Sequence, residues 1–489
     1  MPMKPEYFIG MLLLVALQFS QLVRADTHPN VLVILADDLG WNDVGYHGSE
    51  IRTPRLDALA EEGVVLDRFY AQPSCSPTRA ALMTGKSPLS LGILSPLSKL
   101  NPTGLPLERR LLPEYFQMAG YQTAMVGKWH LGFRETPYLP TSRGFEHFYG
   151  NVTGGIGYWD HVHGGGLDWQ RNGETLREEG YATRLTANEA VRLIKSRDRS
   201  HPMFLYAAFN APHLPNEAPE QVIETYAGIE DSRRRVHAAM VTELDTAIGR
   251  LIDTLEAEGI LENTLVWFMS DNGGLNSSFA SDRMFDFASL LDRWFEGREV
   301  PITALEFVRV NVLQGGSDNR PFRKAKQSIY EGGVRVPSLI YWKGQLTQFK
   351  TEKMVTVQDV LPTLLAVIDE DASAEDFDGI SQWPLIAEEA DKDAPAYITH
   401  GMDGEAIYRF PWKMLSLSSG GVELYNLEED PTEKNNLAPA RAELVSSMKY
   451  DLAAAPRGES IHVLLWRSLL NMDFFGGEET LPPWAELVQ

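Results

Sequence analysis

Pairs of polar side chains directly follow two apolar runs of this sequence. Asp37 and Asp38 follow one run, and Asp271 with Asn272 follows another. Their side chains offer only oxygen ligands, which suit a hard cation such as Ca²⁺ or Mg²⁺ and not a thiolate or imidazole zinc site. Each pair alone is also an ordinary turn sequence. The metal hypothesis therefore depends on whether the fold brings the two pairs together.

Basic side chains occupy similar positions. Lys128, His130 and His213 also follow predicted strands. Taken alone, a histidine is more often structural and a lysine more often a solvated surface charge. In open α/β sheets, however, ligands bind beyond the carboxyl ends of the strands, where residues far apart in sequence meet. We therefore expect these residues and the acidic pairs to converge on one site.

Cys75 is the only cysteine, so the chain cannot form an intramolecular disulfide. A free cysteine is often just a small buried hydrophobe. Here, however, Pro77 follows two places on and Arg79 four places on, a combination expected by chance about once in a few hundred cysteines. Pro77 favours the first turn of a helix, and a helix that starts at Cys75 would direct backbone N–H groups at an anion. The pattern favours a specific chemical role for this cysteine.

The elements that must hold these residues alternate along the chain. Apolar runs rich in β-branched residues predict strands at 31–36, 123–126, 203–209, 264–270 and 337–342. Helical patterns predict helices at 53–62, 108–119, 183–196 and 233–258, with Gly63, Gly120 and Gly259 as left-handed caps after three of them. This alternation predicts an α/β fold with a mixed, mainly parallel sheet flanked by helices. Shorter segments at 397–400, 406–417 and 422–426 predict a smaller C-terminal α+β subdomain with an antiparallel sheet.

We divide the chain into a signal peptide (1–25), a main domain (26–384) and the C-terminal subdomain (385–489). Lys4, the apolar run at 7–17 and the small residues Val23 and Ala25 are typical of an export signal. The run is shorter than the roughly 20 residues that span a bilayer, so we expect no stable membrane insertion. The predicted location is periplasmic or secreted, or lysosomal in a eukaryotic host. A formal charge of −23 argues against nucleic acid as a partner, because phosphates need clustered Lys and Arg.

The segment Cys-Ser-Pro-Thr-Arg at 75–79 resembles the maturation signal Cys-x-Pro-x-Arg of the formylglycine-dependent sulfatases, which belong to the alkaline-phosphatase-like superfamily. Further blocks typical of that family stand in the family's order: Asn-Val-Leu-Val-Ile-Leu-Ala-Asp-Asp-Leu-Gly at 30–40, Gly-Lys-Trp-His-Leu-Gly at 127–132, Ala-Pro-His at 211–213, Ser-Asp-Asn-Gly-Gly at 270–274 and Tyr-Glu-Gly-Gly-Val-Arg-Val-Pro at 330–337. The likeness continues to 423–431. The blocks at 127–132 and 140–146 are most similar to the arylsulfatase B type.

Transferred position by position, the resemblance implies a sulfuric ester hydrolase that uses formylglycine and one Ca²⁺. A formylglycine-generating enzyme would oxidise Cys75 to the aldehyde. One hydroxyl of the hydrated aldehyde would attack sulfur, and the other would drive the release of sulfate. The implied metal ligands are Asp37, Asp38, Cys75, Asp271 and Asn272. The implied catalytic residues are Cys75, Arg79, Lys128, His130, His213 and Lys326.

Within the catalytic set, the resemblance implies a separate task for each residue. Arg79 and Lys128 would hold the formylglycine oxygens, and His130 would take a proton during the release of sulfate. His213 and Lys326 would bind the sulfate group and assist the leaving oxygen.

The resemblance implies a sulfated sugar or glycan as the substrate, and two alternatives stay open. The nearer one is a phosphodiester or phosphonate monoester hydrolase of the same superfamily, because phosphate and sulfate are both tetrahedral. The other is a non-catalytic binder of sulfated glycans. Residues of about 277–320 depart from the arylsulfatase B pattern. We expect this insertion to lie beside the active-site mouth, where loops set specificity.

Overall fold

The computed structural model describes residues 28–97, 101, 103–163, 166–276, 315–370, 376–388 and 395–461. The predicted signal peptide and most of the predicted insertion at 277–320 lie outside these residues. Within the described ranges, no helix combines the length and the apolar character that crossing a membrane requires.

A ten-stranded sheet forms the centre of the molecule, with the order β12-β2-β11-β10-β1-β9-β3-β4-β7-β8. The strands are β1 (Asn30–Ala36), β2 (Val64–Tyr70), β3 (Gln122–Lys128), β4 (His147–Asn151), β5 (Val162–His163), β6 (Gly166–Leu167), β7 (Gln170–Arg171), β8 (Glu174–Thr175), β9 (Met203–Ala208), β10 (Thr264–Ser270), β11 (Ser338–Tyr341), β12 (Phe349–Thr356), β13 (Tyr397–Gly401), β14 (Gly404–Arg409), β15 (Trp412–Leu417) and β16 (Val422–Asn426). The central strands β10, β1, β9, β3 and β4 run parallel, whereas β11, β7 and β8 are antiparallel to their neighbours. The predicted mixed, mainly parallel sheet is confirmed.

Helices cover both faces of this sheet. They are α1 (Pro54–Glu62), α2 (Cys75–Thr84), α3 (Pro88–Leu91), α4 (Leu112–Met118), α5 (Ala182–Ser196), α6 (Glu220–Glu224), α7 (Ser232–Ala257), α8 (Glu331–Val334), α9 (Val360–Val367), α10 (Trp383–Glu388) and α11 (Ala442–Ala454). One core packs α2, α4 and α9 against the sheet, and the other packs α1, α5 and α7 against its opposite face. Successive residues of β1 point alternately into the two cores, so the whole strand is buried.

The register of the central strands determines where, along the strand direction, the polar residues that follow each strand lie. Ala36, the last residue of β1, pairs with Ser270, the last residue of β10. Leu35 pairs with Ala208 at the end of β9, and Gly127 near the end of β3 pairs with the same residue. The residues that follow these parallel strands therefore meet at one edge of the sheet.

The structure corrects one predicted helix cap and shifts one helix start. Gly120 and Gly259 have φ values of 82° and 70° and are left-handed, as predicted. Gly63, with a φ of −111°, is extended, because β2 begins at the next residue. A Cβ on Gly63 would lie 2.5 Å from the carbonyl oxygen of Ile340, so close backbone approach explains this glycine. The helix predicted at 108–119 begins only at Leu112.

A second sheet, β13-β14-β15-β16, is antiparallel throughout. One of its faces packs on α11, and the other packs on Tyr70, Ile329 and Tyr330 of the main sheet region. The segment predicted at 406–417 covers parts of two strands, β14 and β15, which are joined by a turn at Phe410 and Pro411. Proline has no N–H for a ladder hydrogen bond, so the chain turns there.

Candidate active site

Three carboxylates meet beyond the ends of β1 and β10. The backbone N–H of Asp271 donates to Ala36 O at 3.0 Å and so continues the strand pairing past Ser270. Asp38 adopts a left-handed backbone (φ 68°), which aspartate tolerates, and its N–H donates to Asp271 Oδ1 at 3.1 Å. Asp37, Asp38 and Asp271 are at most 2% exposed. The two acidic pairs singled out in the sequence therefore share one buried site.

Each of these carboxylates lies beside its own cation. Lys128 Nζ is 2.5 Å from Asp37 Oδ2, and Lys326 Nζ is 2.7 Å from Asp38 Oδ2. Arg79 donates to Asp271 Oδ2 from Nε and Nη2, at 3.1 Å and 2.9 Å. Three positive charges thus offset the repulsion among three buried negative charges.

Burial and these cations act in opposite directions on Asp37. Burial by itself would raise the pKa of this carboxyl, but Lys128, His213 and Arg79 hold the pKa well below its ordinary value. Asp271 is affected differently, because burial together with the neighbouring Asp37 raises its pKa. The site therefore keeps Asp37 ionised more firmly than Asp271.

Cys75 is the first residue of α2, and its side chain is 2% exposed. Its Sγ lies 3.5 Å from Asp37 Oδ1, so the cysteine stands against the carboxylates. Burial raises the pKa of the thiol to about 12. The unmodified side chain therefore carries a proton and is a weak nucleophile.

His130 follows β3 in a left-handed conformation (φ 60°) and is 3% exposed. Its Nε2 lies 3.0 Å from Leu97 O, and because a carbonyl only accepts, Nε2 carries the proton. Burial and Lys128 lower the pKa of His130, which keeps the ring neutral. Its Nδ1 has no hydrogen-bond partner among the described residues. His130 therefore presents a buried proton acceptor.

His213 lies beside Asp38. Its Nδ1 donates to Leu214 O at 2.7 Å, which leaves Nε2 facing Asp38 Oδ2 at 3.7 Å. Burial and Lys326 lower the pKa of His213. One potential ligand atom each from Asp37, Asp38, Cys75 and His213 lies within 4.8 Å of the others. His213 thus lies against the same group of potential ligand atoms as Asp37, Asp38 and Cys75.

The amide of Asn272 indicates what the acidic group could hold. Its Nδ2 donates to Asp38 Oδ1 at 2.7 Å and to Gly273 O at 3.0 Å. Its Oδ1 is buried and, within the described part of the chain, has no hydrogen-bond partner. A buried acceptor without a donor beside three carboxylates is what an oxygen-binding cation would satisfy. The residues present therefore fit a divalent ion such as Ca²⁺.

The structure brings all ten predicted site residues into one cluster, and it adds residues that the sequence analysis missed. A Cβ on Gly154 would lie 2.7 Å from His130 Nε2, and one on Gly155 would lie 3.1 Å from His213 Nδ1. A side chain at Gly154 or Gly155 would therefore crowd one of the two histidines that the loop contacts. Asp168 holds the start of this loop by accepting from Val152 N and Thr153 N. In the sequence, the pair Gly154-Gly155 could have indicated this loop, whereas no sequence feature indicated the role of Asp168.

The described ends of the predicted insertion also lie here. A Cβ on Gly315 would lie 2.8 Å from the carbonyl carbon of Asn276, so the two ends are adjacent. Leu275 and Gly316 lie beside Asp38 at a shallow depression of the surface.

Comparison with known proteins identifies relatives of this chain. Residues 29–370 match the sulfatase family. The chain is 34% identical to arylsulfatase J of Mus musculus over 378 residues, which are 74% of this chain and 56% of that protein. It is 32% identical to N-acetylgalactosamine-6-sulfatase of Homo sapiens over 397 residues, or 76% of this chain and 68% of that protein. The chain therefore spans little more than half the length of the first relative.

A solved structure shows the same fold. The complex of Ps i-CgsB with k-i-k-neocarrahexaose has a TM-score of 0.78 and 28% identity, and the match covers 90% of this chain and 96% of that chain. These similarities are to sulfatases of more than one kind, and they do not single out the arylsulfatase B type.

Proposed function

Because this chain belongs to the sulfatase family, we propose that it is a sulfuric ester hydrolase that acts on a sulfated sugar or glycan. The observation that carries the proposal is the buried cluster around Cys75. It combines three carboxylates, three cations and an acceptor atom of Asn272 that lacks a donor among the described residues. The three cations balance the three carboxylates, so a bound divalent cation would give an anionic substrate a positive environment inside a chain whose formal charge is −23.

Formylglycine at position 75 would supply the nucleophile, since a hydrated aldehyde presents hydroxyl groups where the thiol now lies. Arg79 and Lys128 lie beside Asp37, the carboxylate that Cys75 contacts, and would hold those hydroxyl groups. The Nδ1 of His130, which has no partner among the described residues, is the atom that would accept a proton from them. A formylglycine-generating enzyme is the partner that this step of maturation needs.

A divalent cation, for which Ca²⁺ is our proposal, would supply charge that stabilises the oxygens of the nucleophile and of the sulfate group. Asp37, Asp38, Asp271, Asn272 and the modified residue 75 would hold it. The fit is supported by the all-oxygen donor set and by the free Oδ1 of Asn272 within the described chain.

His213 and Lys326 would meet the sulfate group from the side of Asp38. Lys326 Nζ is 2.7 Å from Asp38 Oδ2, and His213 Nε2 is 3.7 Å from the same oxygen. An anionic sulfate ester beside His213 would raise the pKa of the ring and favour its protonated form. The ring could then donate a proton to the leaving oxygen.

The names of the relatives support a saccharide substrate. One relative is an N-acetylgalactosamine-6-sulfatase, and the solved structure was determined with a neocarrahexaose. We extend to this chain only the shared class, a sulfated saccharide. We also propose that residues 1–25 direct export to the periplasm or the exterior, or to a lysosome in a eukaryotic host.

The test is a panel of sulfated mono- and oligosaccharides with released sulfate as the readout. Matched aryl sulfate and aryl phosphate esters are measured beside it. Equal or faster turnover of the phosphate ester would favour the phosphodiester or phosphonate hydrolase. Binding of sulfated glycans without any turnover would favour the non-catalytic protein.

Mass spectrometry of the peptide containing Cys75 tests the modification directly. Conversion of the thiol to the aldehyde removes one sulfur and two hydrogens and adds one oxygen. An active preparation in which this peptide keeps the mass of unmodified cysteine would rule out formylglycine.

A further inference from the structure

The segment that returns to the site at 315–319 holds the turn formed by Asp271 and Asn272. Asn319 Oδ1 accepts from Gly274 N at 2.8 Å, and Asn319 Nδ2 donates to Gly274 O at 2.8 Å. Asn319 is 2% exposed. One buried amide side chain therefore satisfies both polar groups of the residue two places after Asn272.

The same glycine connects the turn to Lys326. Gly274 O also accepts from the backbone N–H of Lys326 at 3.2 Å, and Lys326 Nζ lies 2.7 Å from Asp38 Oδ2. A Cβ on Gly274 would lie 1.6 Å from Ser317 Oγ, so the returning segment lies directly against the turn. A shift of Asn319 would therefore displace Asn272 and Lys326 together.

Asp43 anchors this segment from its other side. Its carboxylate, which is 0% exposed, accepts from Gly40 N at 2.9 Å and from Asp318 N at 3.0 Å. His237 Nε2 lies 2.9 Å from Asp43 Oδ2, and Arg234 pairs with the same carboxylate. Asp43 thus fixes the backbone before Asn319. The hydrogen bonds of Asn319 to Gly274 then hold the Asn272 turn against that backbone.

We propose that Asn319 is a positioning residue, which acts through Gly274 to place the Asn272 turn and Lys326 around the cation and the sulfate group. This inference rests on the proposed function for the identity of those ligands. Among the described residues, the side chain of Asn319 hydrogen-bonds to Gly274, so it would act on the site through that residue. Supporting side chains of this kind typically change metal affinity or activity by about 10- to 100-fold when they are removed.

The experiment compares Asn319→Ala with Asn30→Ala in the full chain. Asn30 is a matched control, because its amide also bridges backbone groups: Oδ1 accepts from Met203 N at 2.9 Å, and Nδ2 donates to Asn263 O at 3.2 Å. It is 7% exposed and lies at the start of β1, seven residues before Asp37. A milder variant, Asn319→Ser, is measured as well, in case the alanine variant does not fold.

Two readouts are taken after exhaustive chelation. Calorimetric titration measures the affinity for Ca²⁺, and hydrogen–deuterium exchange measures protection of peptides covering 271–276 and 324–328. We expect Asn319→Ala to bind Ca²⁺ at least about 10-fold more weakly and to exchange faster in both peptides. The serine variant should change both in the same direction, and Asn30→Ala should change neither.

Wild-type Ca²⁺ affinity and protection in the Asn319 variants would overturn the proposal, and so would an equal loss in Asn30→Ala. If the wild type binds no Ca²⁺, the metal assignment fails, and exchange in the two peptides alone decides the role of Asn319. If the wild type binds Ca²⁺ but releases no sulfate from any ester, the proposed reaction fails. The Ca²⁺ titration then still decides whether Asn319 is a positioning residue.

Discussion

Among the buried clusters of charged side chains in the described part of the protein, two differ in how their acceptor atoms are satisfied. The active-site cluster consists of Asp37, Asp38, Asp271, Arg79, Lys128 and Lys326. The inter-sheet cluster consists of Glu331, Glu433 and Lys413, and it lies where the two sheets meet. Members of both clusters are at most 8% exposed. Burial of charge therefore does not distinguish the two.

The inter-sheet cluster is closed by its own contacts. Lys413 Nζ lies 2.9 Å from Glu331 Oε1 and 2.7 Å from Glu433 Oε1. The remaining oxygens accept from Tyr70 OH and from the backbone N–H of Glu331, each at 2.8 Å. Every carboxylate oxygen thus lies within 2.9 Å of a cation or a hydrogen-bond donor. Glu433 Oε1 meets Lys413 as an ion pair and has no hydrogen-bond partner among the described residues.

The active-site cluster is open. Beside it, Asn272 Oδ1 and His130 Nδ1 are buried acceptors that no described residue satisfies. Unsatisfied buried acceptors are unfavourable for folding, so a group that supplies a donor or a cation to them would be favourable. In the active-site cluster these acceptors belong to neutral side chains, whereas the corresponding atom of the inter-sheet cluster, Glu433 Oε1, faces Lys413 at 2.7 Å.

Cys75→Ser should produce the largest effect and should separate activity from stability. Serine supplies one hydroxyl and cannot form the hydrated aldehyde, so we expect sulfate release to fall by about 10⁴-fold or more. The melting temperature should stay near the wild-type value, because the substitution is nearly isosteric. Steady-state sulfate release and calorimetry measure the two quantities. Repeated turnover near the wild-type rate would show that the open cluster works without the aldehyde.

Lys413→Met should have the opposite effects to Cys75→Ser: it should lower stability and leave activity nearly unchanged. It leaves two buried carboxylates without their cation, and breaking a buried pair in this way typically destabilises a protein by about 3–5 kcal/mol. Urea unfolding measures this change, while sulfate release per folded molecule should stay close to wild type at low temperature. The triple variant with Glu331→Gln and Glu433→Gln should recover part of the loss. Loss of activity in fully folded Lys413→Met would mean that the two clusters are coupled.

Ca²⁺ should stabilise the wild-type protein through the open cluster alone. A ligand present at 100 times its Kd adds about 2.7 kcal/mol to the free energy of unfolding. Thermal unfolding with and without Ca²⁺ should show this increase in the wild type and in Glu433→Gln, but not in Asp271→Asn. An undiminished increase in Asp271→Asn would place the cation elsewhere.

Glu433→Gln should change how stability depends on pH. Burial raises the pKa of Glu433 from 4.5 to about 7, although Lys413 opposes the rise. The folded chain therefore holds a proton that the unfolded chain releases, so Glu433 favours folding at low pH and loses this contribution as pH rises from 4.5 to 7. The variant lacks the titrating group, and its free energy of unfolding should fall less over that interval. The free energy of unfolding of both proteins is measured by urea unfolding as a function of pH. Parallel profiles for the wild type and Glu433→Gln would contradict this expectation.

The strands at the centre of the sheet were predictable, whereas several other elements, including apolar ones, were missed. The predicted strand at 264–270 matches β10, and β1 differs from its prediction by one residue. The edge strand β12 was missed, because it is partly exposed and its pairing is irregular between Thr351 and Met354. Strands β2 and β4 and helix α9 were missed as well.

The sequence by itself determined which atoms are available for chemistry. The identity of Cys75, its spacing from Pro77 and Arg79, and the polar residues placed directly after buried strands depend only on near neighbours in the chain. The parallel sheet follows from the same local patterns, and it already implies that the strand ends share one edge.

Only the tertiary structure decided how those atoms are paired. Asp37 with Lys128, Asp271 with Arg79 and the bridge from Asn319 to Gly274 join residues that are 91, 192 and 45 positions apart. Local propensity carries no information about such contacts, because each of these side chains would be equally acceptable in a solvated turn. Their partners are fixed by the register of the sheet and by the path of the returning segment.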